Sequence, residues 1–99
     1  MGAFIELVRF RVQAGVGPEA VLKAAVEVNA FLRQQEGFVQ RHLGQSEDGT
    51  WHDIVVWRSR EDVERAMPRA AGSPHCTRFF GMMERGDDTM ALFPATLTG

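Results

Sequence analysis

The sequence holds one cysteine, no tyrosine, no excess of basic residues and no long apolar run, and each scarcity closes off a class of protein. Cys76, being alone, cannot form an internal disulfide, so packing or association must hold the chain, and a cytoplasmic location is expected. Lys and Arg total 11 against 13 Asp and Glu, a formal charge of −2. A nucleic-acid partner is therefore not expected, since phosphate recognition calls for a basic surplus. No apolar stretch approaches the roughly 20 residues a membrane-spanning helix requires, so no membrane partner is expected either. The opening MGAFIELVRFRVQ has no basic leader, and Glu6, Arg9 and Arg11 interrupt its apolar residues, which is not the form of a signal peptide. No paired spacing links His42, His52 and His75, which leaves metal binding without support. There is no glycine-rich phosphate loop and no Gly-x-Ser-x-Gly elbow.

What is present is an ordinary globular balance, 44% hydrophobic and 24% charged over 99 residues, enough for one domain spanning 1–99. A chain of this length buries only about 60–70% of its unfolded surface, so a second subunit would add useful core. Residues 3–13 alternate as a strand, with Phe4, Val8, Phe10 and Val12 on one face and Ile5 and Leu7 on the other; Glu6 interrupts the first face. Pro18 opens a helix whose apolar positions Val21, Leu22, Ala25, Val28, Phe31 and Leu32 recur at helical spacing until Gly37 stops it. Residues 38–46 and 50–58 read as a hairpin turning on Asp48-Gly49. Ser59 and Asp62 fit a helix-capping box. Pro68 should kink or end the helix that follows, Ser73-Pro74 should restart it, and Gly86 should close it. Residues 88–95 make a last strand.

The order βαββαβ specifies an α+β fold, a ferredoxin-like sandwich with a four-stranded antiparallel sheet. Helices can cover only one face of that sheet. Ile5, Leu7 and part of the hairpin would leave an apolar patch on the other, and such patches are usually interfaces, so a homodimer packed sheet against sheet is expected.

Several segments in combination resemble the dimeric α/β-barrel superfamily, and within it the antibiotic biosynthesis monooxygenase-like domains. They are FIELVRFRVQAG with its exit loop, EGF at 36–38, a third strand ending in Trp57 and running into SREDVERA, and SPHCTRFF at 73–80. The resemblance covers nearly the whole chain. It implies a small dimeric protein of the cofactor-independent oxygenase type, needing no cofactor and acting on an aromatic or quinol-like small molecule. The family also includes haem-degrading members and members without a known reaction, so a non-catalytic small-molecule-binding or interaction domain on the same fold is the alternative. Two departures stand out. Where the haem-degrading branch has an Asn on the first strand and an aromatic residue upstream of a His, this chain has Val8 and Arg65. Some oxygenase members rely on Tyr, which is missing.

His75 matches the family's Ser-Pro-His segment, and an imidazole can act as acid or base near neutrality, which makes it the first catalytic candidate; the alternative is that it only packs or caps the helix. Glu6 is the second, because an acid on a helix-facing strand face has either a raised pKa or a partner; otherwise it reaches solvent or a cross-strand Arg. A two-residue turn on Asp48-Gly49 pairs His42 with Val55 and puts His42, Asp53 and Trp57 on one face. With Phe79, these are the substrate-binding candidates. A one-residue bulge would reverse that parity. Trp57 also reads as a core anchor, and Cys76 as a buried small hydrophobe.

Overall fold

The computed structural model describes residues 2–86 and 88–99. Seven elements follow in order: β1 Phe4–Phe10, α1 Pro18–Arg33, β2 Phe38–Gln45, β3 Trp51–Trp57, α2 Arg60–Ala71, α3 Pro74–Gly81 and β4 Thr89–Pro94. The strands form one antiparallel sheet in the order β2-β3-β1-β4. Both connections through helices therefore cross over a neighbouring strand. Crossovers of one hand deliver all three helices to one face, which is the ferredoxin-like α+β arrangement.

Burial reads this out directly. In β3, Trp51, Asp53, Val55 and Trp57 are buried, and the intervening His52, Ile54 and Val56 only half-buried. The buried face meets Val21, Ala24, Ala25, Val28 and Leu32 of α1, Val63 and Ala66 of α2, and Cys76 and Phe79 of α3. Leu22, expected inward, is largely exposed, because the stripe runs through Ala24 instead.

Local chemistry sets the element ends. Pro18 occupies the first turn of α1, where a missing N–H costs nothing. The Ser59 hydroxyl accepts from the Asp62 N–H at the start of α2 and donates to Asp62 Oδ2 (2.9 Å). Those bonds, Ser59 first, hold the Asp62 carboxyl below its usual range. Gly37 packs directly on that carboxyl at a φ of +85°, where a side chain would have no room. The Ser73 hydroxyl caps α3 by accepting from the Cys76 N–H.

Three expectations are corrected. Pro68 does not end α2, which runs on to Ala71 before the Ser73-Pro74 restart. α3 ends at Gly81 rather than Gly86, and Met83 leaves it to bridge Val12 beyond the end of β1. The hairpin turns through three residues, not two: Ser46 N–H bonds Thr50 O, Gly49 N–H bonds Ser46 O, and Gly49 sits at φ +91°. The Thr50 N–H and the Ser46 hydroxyl both donate to Asp48, which holds its carboxyl down at about 2. The added residue shifts the β2–β3 register by one, so Arg41 faces Val55, and His42 faces Ile54.

Candidate functional site

The register arranges the helix-covered face in rows across β1, β3 and β2. Phe4, Trp57 and Phe38 form one row, Glu6, Val55 and Arg41 the next, and Val8, Asp53 and Leu43 a third. Above these rows, between sheet and helices, lies a cavity of about 280 Å³. Its walls are mostly apolar: Val8, Val28, Leu32, Val55, Trp57 and Phe79. The mouth carries Met67, Phe80 and Met90, which are 40%, 46% and 50% exposed. Three charged side chains, Glu6, Arg41 and Asp53, lie among the apolar walls contributed by the sheet, and Glu84, Arg85 and Asp88 also line the cavity.

Asp53 and Arg41 make a fork-to-fork ion pair. Arg41 Nε–H donates to Asp53 Oδ1 (2.9 Å) and Nη2–H to Asp53 Oδ2 (2.7 Å). Arg41 Nη1 donates to Ala25 O (2.9 Å) and Asn29 Oδ1 (3.0 Å) on α1. The guanidinium also lies over the Phe79 ring, 5.3 Å from its centroid. Both side chains are nearly sealed from solvent, 5% and 9% exposed, so each charge depends on the other and on these bonds.

Glu6 has one hydrogen-bond partner among the described residues: Trp57 Nε1–H donates to its Oε1 (3.0 Å). Burial pushes the Glu6 carboxyl above the ordinary glutamate value of 4.5; the Trp57 bond opposes that in part, and the nearby Asp53 adds to it. An acid so placed can take or give a proton nearer neutrality than a free glutamate can. The Cys76 thiol also lines the cavity, and burial pushes its pKa up, which keeps it an unreactive thiol.

A sequence model of the antibiotic biosynthesis monooxygenase family matches residues 3–81, most of the chain. The chain belongs to that family. No curated protein matches it. Among solved structures, this antibiotic biosynthesis monooxygenase-family chain is similar to SnoaB, a cofactor-independent oxygenase from Streptomyces nogalater. The TM-score is 0.82 at 24% identity, over 99% of this chain and 97% of that one. It is also similar to the monooxygenase from the gene ActVA-Orf6 of Streptomyces coelicolor, solved in complex with nanaomycin D (TM-score 0.70, 20% identity, covering 98% and 90%). A dimeric ferredoxin-like protein of unknown function from Jannaschia sp. CCS1 matches at TM-score 0.71 and 13% identity, covering 93% and 98%. At these identities the likeness is one of fold.

Against this geometry the candidate residues divide. Glu6, Asp53, Trp57 and Phe79 all line the cavity of this family member. His42 does not: it pairs with Ile54 on the opposite face of the sheet, so the expected His42–Asp53 contact is corrected to Arg41–Asp53. His42 and His52 share that uncovered face and flank a shallow groove there. His75 is corrected as well. It lies on the outer side of α3, half-exposed, with Nδ1 3.4 Å from Glu27 Oε1, and Arg78 pairs with the same carboxylate. The next residue, Cys76, is the one that points inward. Arg41 and Asn29 escaped the sequence reading, although Asp53 signalled them. A carboxylate at an inward position of an otherwise apolar strand must find a partner or hold its proton, and a cation on a neighbouring strand is one such partner. Among the described residues no three His, Cys, Asp or Glu side chains group so as to hold a metal ion, and no helix is long and apolar enough to cross a membrane.

Proposed function

We propose that the protein is a cofactor-independent monooxygenase that oxidises an aromatic, quinol-like small molecule, with Glu6 as the base. The observation that carries this is the pairing of a half-buried carboxylate of raised pKa with an apolar cavity sized for a small ring system. A phenol titrates near 10, so a base of ordinary carboxylate strength is poorly matched to it, and raising the carboxyl narrows the gap. Trp57 holds Oε1, while Oε2 has no hydrogen-bond partner among the described residues and is the atom that receives the proton. Family membership and the oxygenases of the same fold support the reaction class.

The chemistry balances with dioxygen as the sole oxidant. Glu6 takes the hydroxyl proton, and the electron-rich phenolate passes an electron to dioxygen. Recombination forms a carbon–oxygen bond at the para carbon, and Glu6 returns its proton to give a hydroperoxide. Glu6 then removes the para hydrogen as the O–O bond breaks. The ring carbon becomes a quinone carbonyl, and the hydroxide leaves as water with the proton Glu6 has just taken. One phenol and one dioxygen give one quinone and one water.

The uncovered sheet face supports a homodimer. Ile5, Leu7, Ile54 and Val56 are half-buried there and Phe93 is exposed, an apolar strip that a second copy would cover. The Jannaschia protein of similar fold is described as dimeric.

The test is oxygen uptake with a dihydroxynaphthalene carrying one hydroxyl on each ring, alongside the visible absorbance of the quinone formed. Uptake matched one-to-one by quinone, and reduced about 10²- to 10⁴-fold in Glu6→Gln, is the expected result. Ligand binding without oxygen uptake would instead make the protein a non-catalytic binding domain.

A further inference from the structure

The reading of the cavity as a quinol site leaves open what holds the end of the ligand remote from Glu6. Arg41 answers to that position. Glu6, Val55 and Arg41 lie in one row on the covered face, which sets the Glu6 and Arg41 backbones about 10 Å apart with Val55 as the floor between them. A guanidinium carries five N–H donors. Four of Arg41's are committed, two to Asp53 and one each to Ala25 O and Asn29 Oδ1. The fifth, on Nη2, has no acceptor among the described residues, although the side chain is almost wholly buried and lines the cavity. A buried donor left without an acceptor is costly, and a ligand oxygen would remove that cost.

We infer that Arg41 is a substrate-binding residue whose free Nη2–H receives a second ring oxygen of the ligand, opposite the hydroxyl that faces Glu6. This rests on the cavity being the quinol site, and it narrows the substrate class to aromatics with oxygen at both ends. Asp53 neutralises Arg41, so the pair does not attract anions indiscriminately. Moving a proton from ligand to Glu6 leaves the total charge of the cavity unchanged, and where the second oxygen is a carbonyl conjugated with the hydroxyl, the negative charge that spreads onto it meets a preplaced donor. The contacts to α1 and Asp53 fix the plane of the guanidinium in advance, with the Phe79 ring beneath it.

The experiment compares two non-reacting probes, a hydroxynaphthoquinone and plain naphthalene, by absorbance and fluorescence titration. It uses the parent, the double variant Arg41→Met/Asp53→Leu, and Arg41→Lys. The double variant removes both charges together, so no lone ion is left buried. The expected result is a fall of about tenfold or more in hydroxynaphthoquinone affinity, with naphthalene affinity held within about twofold. Should the double variant not fold, Arg41→Lys is expected to show the same selective loss, because its ammonium is engaged by Asp53 and lacks the fork. An unchanged ratio of the two affinities overturns the inference, as does an equal loss of both probes, which would mean that Arg41 only shapes the cavity. A parent that does not bind hydroxynaphthoquinone overturns it too. Selective loss in a protein that consumes no oxygen supports Arg41 and refutes the oxygenase reading. Quinone formation at an unchanged kcat/KM in the variants refutes Arg41 alone.

Discussion

The two faces of one sheet are built from the same strands and differ in almost everything else. On the covered face, Trp51, Asp53, Val55 and Trp57 are buried, and Glu6, Arg41 and Asp53 set three charges among apolar walls. On the other, Ile5, Leu7, Ile54 and Val56 leave an apolar strip at half burial, with His42 and His52 at one end. Alternate residues of a strand point to opposite faces, so a single strand lines the cavity with one set of residues and supplies the apolar strip with the other, and the two proposed roles do not conflict. Substitutions one residue apart should therefore separate the two roles cleanly.

The largest effect is expected on the covered face. Arg41→Ala leaves Asp53 as a buried, unpaired carboxylate and should cost about 3–5 kcal/mol in denaturant unfolding, whereas Arg41→Met/Asp53→Leu should recover most of that loss. A single variant as stable as the parent would mean that Asp53 is not dependent on its partner. On the other face, Leu7→Asp should weaken self-association about a hundredfold in sedimentation equilibrium and leave ligand affinity in the cavity unchanged. Loss of both together would show that the faces are coupled.

A smaller, pH-dependent effect is expected from Glu6→Gln. The carboxyl is raised in the fold, so the stability its protonated form contributes is present below the ordinary value of 4.5 and lost as pH rises through the raised one. The variant should thus be at least as stable as the parent at pH 7, with the difference disappearing at low pH, as thermal unfolding across pH would show. A variant less stable than the parent at neutral pH would contradict the burial argument. The smallest effect is that of His75→Ala. This side chain sits outside the cavity at a half-exposed contact with Glu27, so stability should move by no more than about 0.5 kcal/mol and oxygen uptake should be unchanged.

The element order was legible because each strand and helix carries its own period and its own end signals: Pro18, Ser59 and Ser73 all stand where the helices begin. Glu6 in the cavity was legible too, as an acid on an otherwise apolar strand face. The register of the hairpin was not, because it depends on a single residue of loop length. Ser46 closing on Thr50 instead of a tighter turn moves Arg41 in and His42 out. His75 illustrates a different limit. A motif can place a histidine at the start of a helix, but one step along a helix is 100° of rotation, and Cys76 takes the inward direction.

The most direct test of Glu6 as the base is the pH dependence of oxygen uptake with the same dihydroxynaphthalene, followed in the parent and in Glu6→Gln. The parent should show an acid limb whose midpoint lies above 4.5, reflecting the raised carboxyl, and the variant should lack both the limb and most of the rate. An identical acid limb in the two proteins, at comparable rates, would show that another group takes the proton and would remove Glu6 from the reaction.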